Sequence, residues 1–67
     1  MKQYVITILD DGRLYDEIIF KANEEEALTK MVNIFIAHNR HYTMHLSLYF
    51  GNGRKGKMIS KLNMVND

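Results

Sequence analysis

Two hairpin patterns flank one amphipathic helix, and together they use up the whole chain. This arrangement predicts a four-stranded sheet with one helix packed on one face. A single helix cannot cover both faces, so the other face is left to solvent or to a partner.

The first hairpin begins with residues 3–9 (QYVITIL), rich in β-branched and aromatic residues, which suits a strand. Asp10-Asp11-Gly12 is turn chemistry, and residues 14–20 (LYDEIIF) read as the returning strand. Two registers compete. A two-residue loop at Asp11-Gly12 pairs Leu9 with Leu14 and mixes apolar and polar side chains on both faces. A three-residue loop pairs Ile8 with Leu14 and Tyr4 with Ile18. It sorts Tyr4, Ile6, Ile8, Leu14, Ile18 and Phe20 onto one face, and Val5, Thr7, Leu9, Arg13, Tyr15, Glu17 and Ile19 onto the other. The second register is expected, because a one-residue slip would turn an apolar set to the wrong side. Asp16 is then an inward charge on an edge strand, a device against edge-to-edge pairing.

Asn23 is a good N-cap, and Glu24-Glu25-Glu26 place carboxylates at the positive end of the helix dipole. Glu26 completes a capping box with Asn23. The helix is expected to end near His38, with Asn39 as its stop. Ala27, Leu28, Met31, Ile34 and Phe35 form the apolar stripe; Val32 and Ile36 widen it on one flank. In residues 42–50, Tyr42, Met44, Leu46, Leu48 and Phe50 alternate with Thr43, His45, Ser47 and Tyr49, a clear strand. Residues 51–56 read as a loop and 57–65 as the last strand, with Met58, Leu62 and Met64 inward. Lys57, Ile59, Lys61, Asn63 and Val65 are expected to face outward.

The fold class is therefore α+β, ββαββ, in one domain over residues 1–67. The order of elements resembles the β-grasp fold. That resemblance implies a mixed sheet in which the first and last strands lie side by side, parallel, in the middle. It rests on topology alone and brings no functional residue with it.

Composition narrows the functional classes. A chain of 67 residues is near the lower size limit for folding alone, and such a core supplies roughly 3–5 kcal/mol. There is no cysteine to staple it, which fits a reducing compartment. The apolar run Tyr4–Leu9 is too short for a signal peptide, and no stretch reaches the ~20 apolar residues of a membrane span. A cytoplasmic location and no membrane partner are expected. The net charge of +1 hides a split. Residues 1–30 carry four basic and seven acidic side chains, −3; residues 31–67 carry five basic and one acidic, +4.

Gly51-Asn52-Gly53-Arg54-Lys55-Gly56 matches G-x-G-x-x-G, but a strand follows it and not the helix that dinucleotide binding requires. It reads as a basic hairpin loop. Gly53, Arg54, Lys55 and Lys57 are its candidates for meeting a phosphate or an acidic surface. His38, His41 and His45 would align only on a helix, and the strand pattern breaks that line, so no metal site is expected. Neither serine lies beside an oriented base, so no catalytic residue and no cofactor are expected. The open sheet face is the leading candidate site, with Tyr15, Ile19, His45, Tyr49, Ile59 and Lys61 as its partner-binding residues. Small cysteine-free domains are common among phage and mobile-element proteins that block host machinery. The expectation is thus a non-catalytic protein-binding module: an adaptor or inhibitor of a larger protein, acting through the open face or a strand edge, and forming a homodimer. The alternative is nucleic-acid binding through the basic second half and the Gly51–Gly56 loop.

Overall fold

The structure, a computed structural model, describes residues 1–64. The chain runs β1 (Lys2–Asp10), β2 (Arg13–Ala22), α1 (Glu24–Ala37), β3 (Thr43–Gly51) and β4 (Arg54–Leu62). It is an α+β fold with one four-stranded sheet in the order β2-β1-β3-β4. Val65, expected to face outward, lies outside the described residues.

Every pairing in the sheet is antiparallel. The expected mixed sheet with the β-grasp arrangement is therefore not found: β1 lies beside β3, and β4 is at an edge. The compositions of the two strands explain this. Met44, Leu46 and Ser47 of β3 are all buried, so β3 belongs in the middle. β4 carries Lys55, Gly56, Lys57 and Lys61, and lysine and glycine are tolerated best at an edge.

Both hairpins close through two-residue turns with positive φ at both central positions: Asp11 at 51° and Gly12 at 82°, Asn52 at 51° and Gly53 at 75°. These are type I′ turns, whose twist matches that of the strands they join. The expected three-residue first loop is thus corrected to two residues, with Leu9 opposite Leu14. A bulge at Tyr15 then resets the register, so that Ile8 faces Asp16, Ile6 faces Ile18 and Tyr4 faces Phe20. The bulge achieves by one inserted residue the sorting that the longer loop was expected to supply. Leu14 alone loses its inward place and is 62% exposed. In the second hairpin, Gly51 ends β3 and Arg54 already begins β4, so the expected loop over 51–56 shrinks to Asn52-Gly53.

Helix α1 begins as its capping box dictates. Asn23 Oδ1 accepts from the Glu26 N–H at 2.8 Å, and Glu26 Oε1 accepts from the Asn23 N–H at 3.3 Å. It ends at the C-cap His38, after which Asn39 and Arg40 both take left-handed φ values of 56°. Asparagine visits that region readily, and the Arg40 N–H donates back to the Phe35 carbonyl at 2.9 Å. Ala27, Met31 and Phe35 are buried against Tyr4, Ile6, Ile8, Met44 and Leu46. Leu28 and Ile34 pack at the margin, whereas Val32 and Ile36 stay exposed.

The cap fixes where the helix stripe starts, so its loss should be felt in global stability. Asn23→Ala is expected to lower the unfolding free energy by about 1 kcal/mol. A urea titration should show a lower midpoint with an unchanged slope.

Candidate functional site

The face of the sheet away from α1 has rows of side chains running across the strands. One row holds Ile19, Val5, Ser47 and Met58; the next holds Glu17, Thr7, His45 and Lys61. No helix among the described residues covers these rows. Even so Val5 is 0% exposed, and Thr7 and Ser47 are also buried.

Lys55 reaches across this face. Its Nζ donates to Thr7 Oγ1 at 3.0 Å and pairs with Glu17 Oε2, and Thr7 Oγ1 also lies 3.4 Å from that carboxylate oxygen. Lys55 starts opposite Tyr49 on one edge strand, and Glu17 stands on the other. On a flat sheet Lys55 and Thr7 would be two strands and four residues apart, ~17 Å by standard spacings. A lysine cannot span that, so the second hairpin must curl over the face.

The sequence supplies the curl through bulges. The β3–β4 register slips between Leu46 and Ser47, between Ser47 and Tyr49, and between Tyr49 and Gly51. Each slip bends the strand and increases its twist. Gly56 sits within this stretch, and a Cβ there would stand 2.6 Å from Phe50 Cε2. The phenyl ring thus lies over the glycine, an aromatic covering a bare position on an edge strand. Phe50 keeps the side of Leu48, which the same Cβ would also meet, but lies at the margin of the core and is 62% exposed.

The expected partner-binding set is therefore split. Ile19, His45 and Lys61 do share the helix-free face. Tyr49 starts on it but is pinned, its hydroxyl accepting the Gly53 N–H at 3.0 Å. Ile59 is a correction: it is the extra residue of a bulge and packs against the core, while Met58 takes the place opposite Ser47. Tyr15 is a second correction. As the bulge residue of β2 it turns to the helix side and stacks on Tyr42, with ring centroids 4.5 Å apart. His38 and His41 meet the same Tyr42 edge-on, at 5.4 and 4.8 Å. The Tyr15 hydroxyl, then burial, then Asp10 hold the Tyr42 phenol above its ordinary value. Sequence reasoning missed this aromatic group because a bulge leaves no mark in an alternating pattern.

The basic loop is also divided. Gly53 is in the turn and Arg54 is exposed beside it. Lys55 is engaged with Thr7 and Glu17. Lys57 is turned toward a small cleft with Tyr4, Glu24 and Leu48. Among the described residues, no three His, Asp or Glu side chains converge to hold a metal ion, and no helix is long and apolar enough to cross a membrane.

The second candidate surface is the free edge of β2. From Asp16 to Ala22 its pairing with β1 is unbroken. The Glu17 N–H donates to Asp16 Oδ1 at 2.8 Å. By alternation, the backbone groups of Glu17, Ile19 and Lys21 point away from the sheet. Ile19 beside them is 48% exposed. On the helix side the edge overlooks a groove lined by Phe20, Ala22, Glu26, Lys30 and Ile34, and the Lys30 ammonium lies 5.3 Å from the Phe20 ring centroid. β4 offers no comparable run, because its bulges interrupt it.

Compared with known protein families, curated proteins and solved structures, the chain matches none.

Two outcomes follow from this geometry. Lys55 acts as much by its stem as by its charge, since the ion pair is partly solvated and such pairs are worth about 0–1 kcal/mol. Lys55→Met should cost less than about 1 kcal/mol, whereas Lys55→Ala should cost more by removing the stem that reaches across the face to Thr7. Paired urea titrations of the two variants check the difference. His45 supplies a pH dependence. Burial first, then the charges of Lys61 and Lys55, hold its imidazole below the ordinary 6.5. The unfolded chain therefore binds the proton more readily, and stability rises with pH through this window. The thermal midpoint should be flat above neutrality and fall as pH drops below 6.5. His45→Gln should flatten that slope; an unchanged slope would remove His45 as its source.

Proposed function

We propose that this chain is a non-catalytic protein-binding module that accepts an extended segment of another polypeptide along the free edge of β2. One observation carries the reading. The Asp16–Ala22 stretch is the only unbulged edge among the described strands, and its outward backbone groups include those of the exposed Ile19. Strand addition draws affinity from such main-chain groups and specificity from the flanking side chains. The groove beside Phe20 and Ile34 gives a partner's alternate side chains somewhere to go on the helix side. The helix-free face is the weaker surface, because its centre is already occupied by Lys55 and its partners.

The nucleic-acid reading has less behind it. The Lys55 ammonium is already paired with Glu17 and Thr7 of its own chain, and Tyr49 is held by the turn it would have to leave in order to stack on a base. With Lys55 engaged, the loop keeps only Arg54 and Lys57, and Arg40 and Lys61 lie outside it, which makes a short phosphate track.

The two readings predict different amide shifts in a ¹⁵N spectrum. Seven-residue peptides alternating valine with lysine or glutamate should move the Glu17, Ile19 and Lys21 signals. Single-stranded DNA or RNA at low salt should leave those signals in place. If no peptide acts while an oligonucleotide shifts Arg54 and Lys57, the module binds nucleic acid and the strand-edge assignment is wrong.

A further inference from the structure

We infer that the strand accepted at the β2 edge is β2 of a second copy of this chain, antiparallel and centred on Ile19. The inference rests on the edge reading given above and names its occupant. The argument is one of self-complementarity. A closed pair must bring the same patch together twice, so whatever stands on one side of the two-fold axis must suit what stands on the other.

The sequence of β2 meets this condition in one register. With Ile19 facing its own copy, Glu17 stands opposite Lys21 of the second copy, and Lys21 opposite Glu17. Both pairs lie on the helix-free face, on either side of the exposed Ile19; within one copy Lys55 and Thr7 both meet Glu17 Oε2, so Oε1 is the oxygen for Lys21 of the second copy. On the other face Ile18 meets Phe20 and Phe20 meets Ile18, both half-buried in the single chain. Opposite charges and apolar side chains placed directly across an antiparallel pair each stabilise it. Moving the centre to Ile18 would set Glu17 against Ile19, and moving it to Phe20 would set Lys21 against Ile19. The backbone agrees with the side chains. Glu17, Ile19 and Lys21 are the residues whose N–H and C=O groups point outward, so each facing pair can exchange two hydrogen bonds. The joined sheet would be continuous through eight strands, twice the four of one copy. A two-fold axis normal to the sheet keeps both helices on the same side.

Asp16 sets the strength of the contact. Its carboxylate already holds the Glu17 N–H, so pairing must displace one side-chain bond at each end of the new ladder. The pair is therefore weak and concentration-dependent. Asp16 acts as a brake on a surface that is otherwise complete.

Sedimentation equilibrium over a wide concentration range tests the inference, with circular dichroism to show that each variant is folded. The parent should move from monomer toward dimer as concentration rises. Lys21→Glu alone, and Glu17→Lys alone, should each weaken the dimer by at least about tenfold, since each reverses two cross-strand pairs. An equal mixture of the two variants should recover association, because only the mixed pair restores both charge matches. Asp16→Ala should tighten it. Ile19→Cys gives a readout independent of charge. The chain has no cysteine, so glutathione disulfide should link two copies through this position, while Val32→Cys on the exposed helix flank should stay unlinked. A parent that is monomeric at every concentration overturns the inference, as does a dimer indifferent to both charge reversals or one cross-linked through Val32→Cys. A monomer whose β2 amides still shift with extended peptides would overturn this inference alone and leave the strand-edge reading standing.

Discussion

The rest of the structure depends on a shortage of cover. One 14-residue helix can seal one face of a four-stranded sheet, and α1 does so with Ala27, Met31 and Phe35. Among the described residues no second helix covers the other face. The sheet solves this by bending. Slips along β4 bring the second hairpin round until Lys55 reaches Thr7 and Glu17, and a lysine stem serves where a second layer would stand. Val5 is fully buried on a face that no helix among the described residues covers. The arrangement costs regularity, since β4 cannot be both a straight edge strand and a curled cover.

That asymmetry decides where a partner can be met. The bulges that curl β4 also spoil it as a template, in keeping with the use of bulges to protect edges. β2 has only the bulge at Tyr15, close to its turn, and runs straight from there to Ala22. The two edges of one small sheet thus have different fates. One is spent on covering the core and the other is left available. The charge split along the chain reads differently in this light. The acidic first half and the basic second half meet inside the molecule, through Glu17 and Lys55, rather than only across an interface.

Most of the elements were legible in the sequence, and the failures have a common cause. The alternation in 42–50, the Asn23–Glu26 capping box and the Ala27–Met31–Phe35 stripe each depend on contacts local to one element, and each is found in place. What could not be read was the effect of single inserted residues. The Asp11-Gly12 dipeptide pointed to a two-residue turn, and the argument from face sorting overrode it by assuming an unbulged strand. The same assumption sent Tyr15 and Ile59 to the wrong side. Strand order failed for another reason: it reflects a contest between β3 and β4 for the middle, which the lysines and the glycine of β4 could have decided. The reach of Lys55 across the sheet had no sequence signal at all, since it exists only once the curl does.

The ladder between β1 and β3 has a further consequence, for the way the chain acquires its shape. Each hairpin closes through a local turn and can form within microseconds, yet an isolated hairpin is marginal in water. The ladder that joins them pairs residues as distant as Tyr4 and Leu48, with the whole helix looped out between. Closing that loop is the slow, entropically costly event, and until it happens α1 has half a sheet to lie on. Neither half of the chain therefore holds a structure worth keeping by itself. The two are committed together, so loss of the ladder dissolves both hairpins and the helix in a single step.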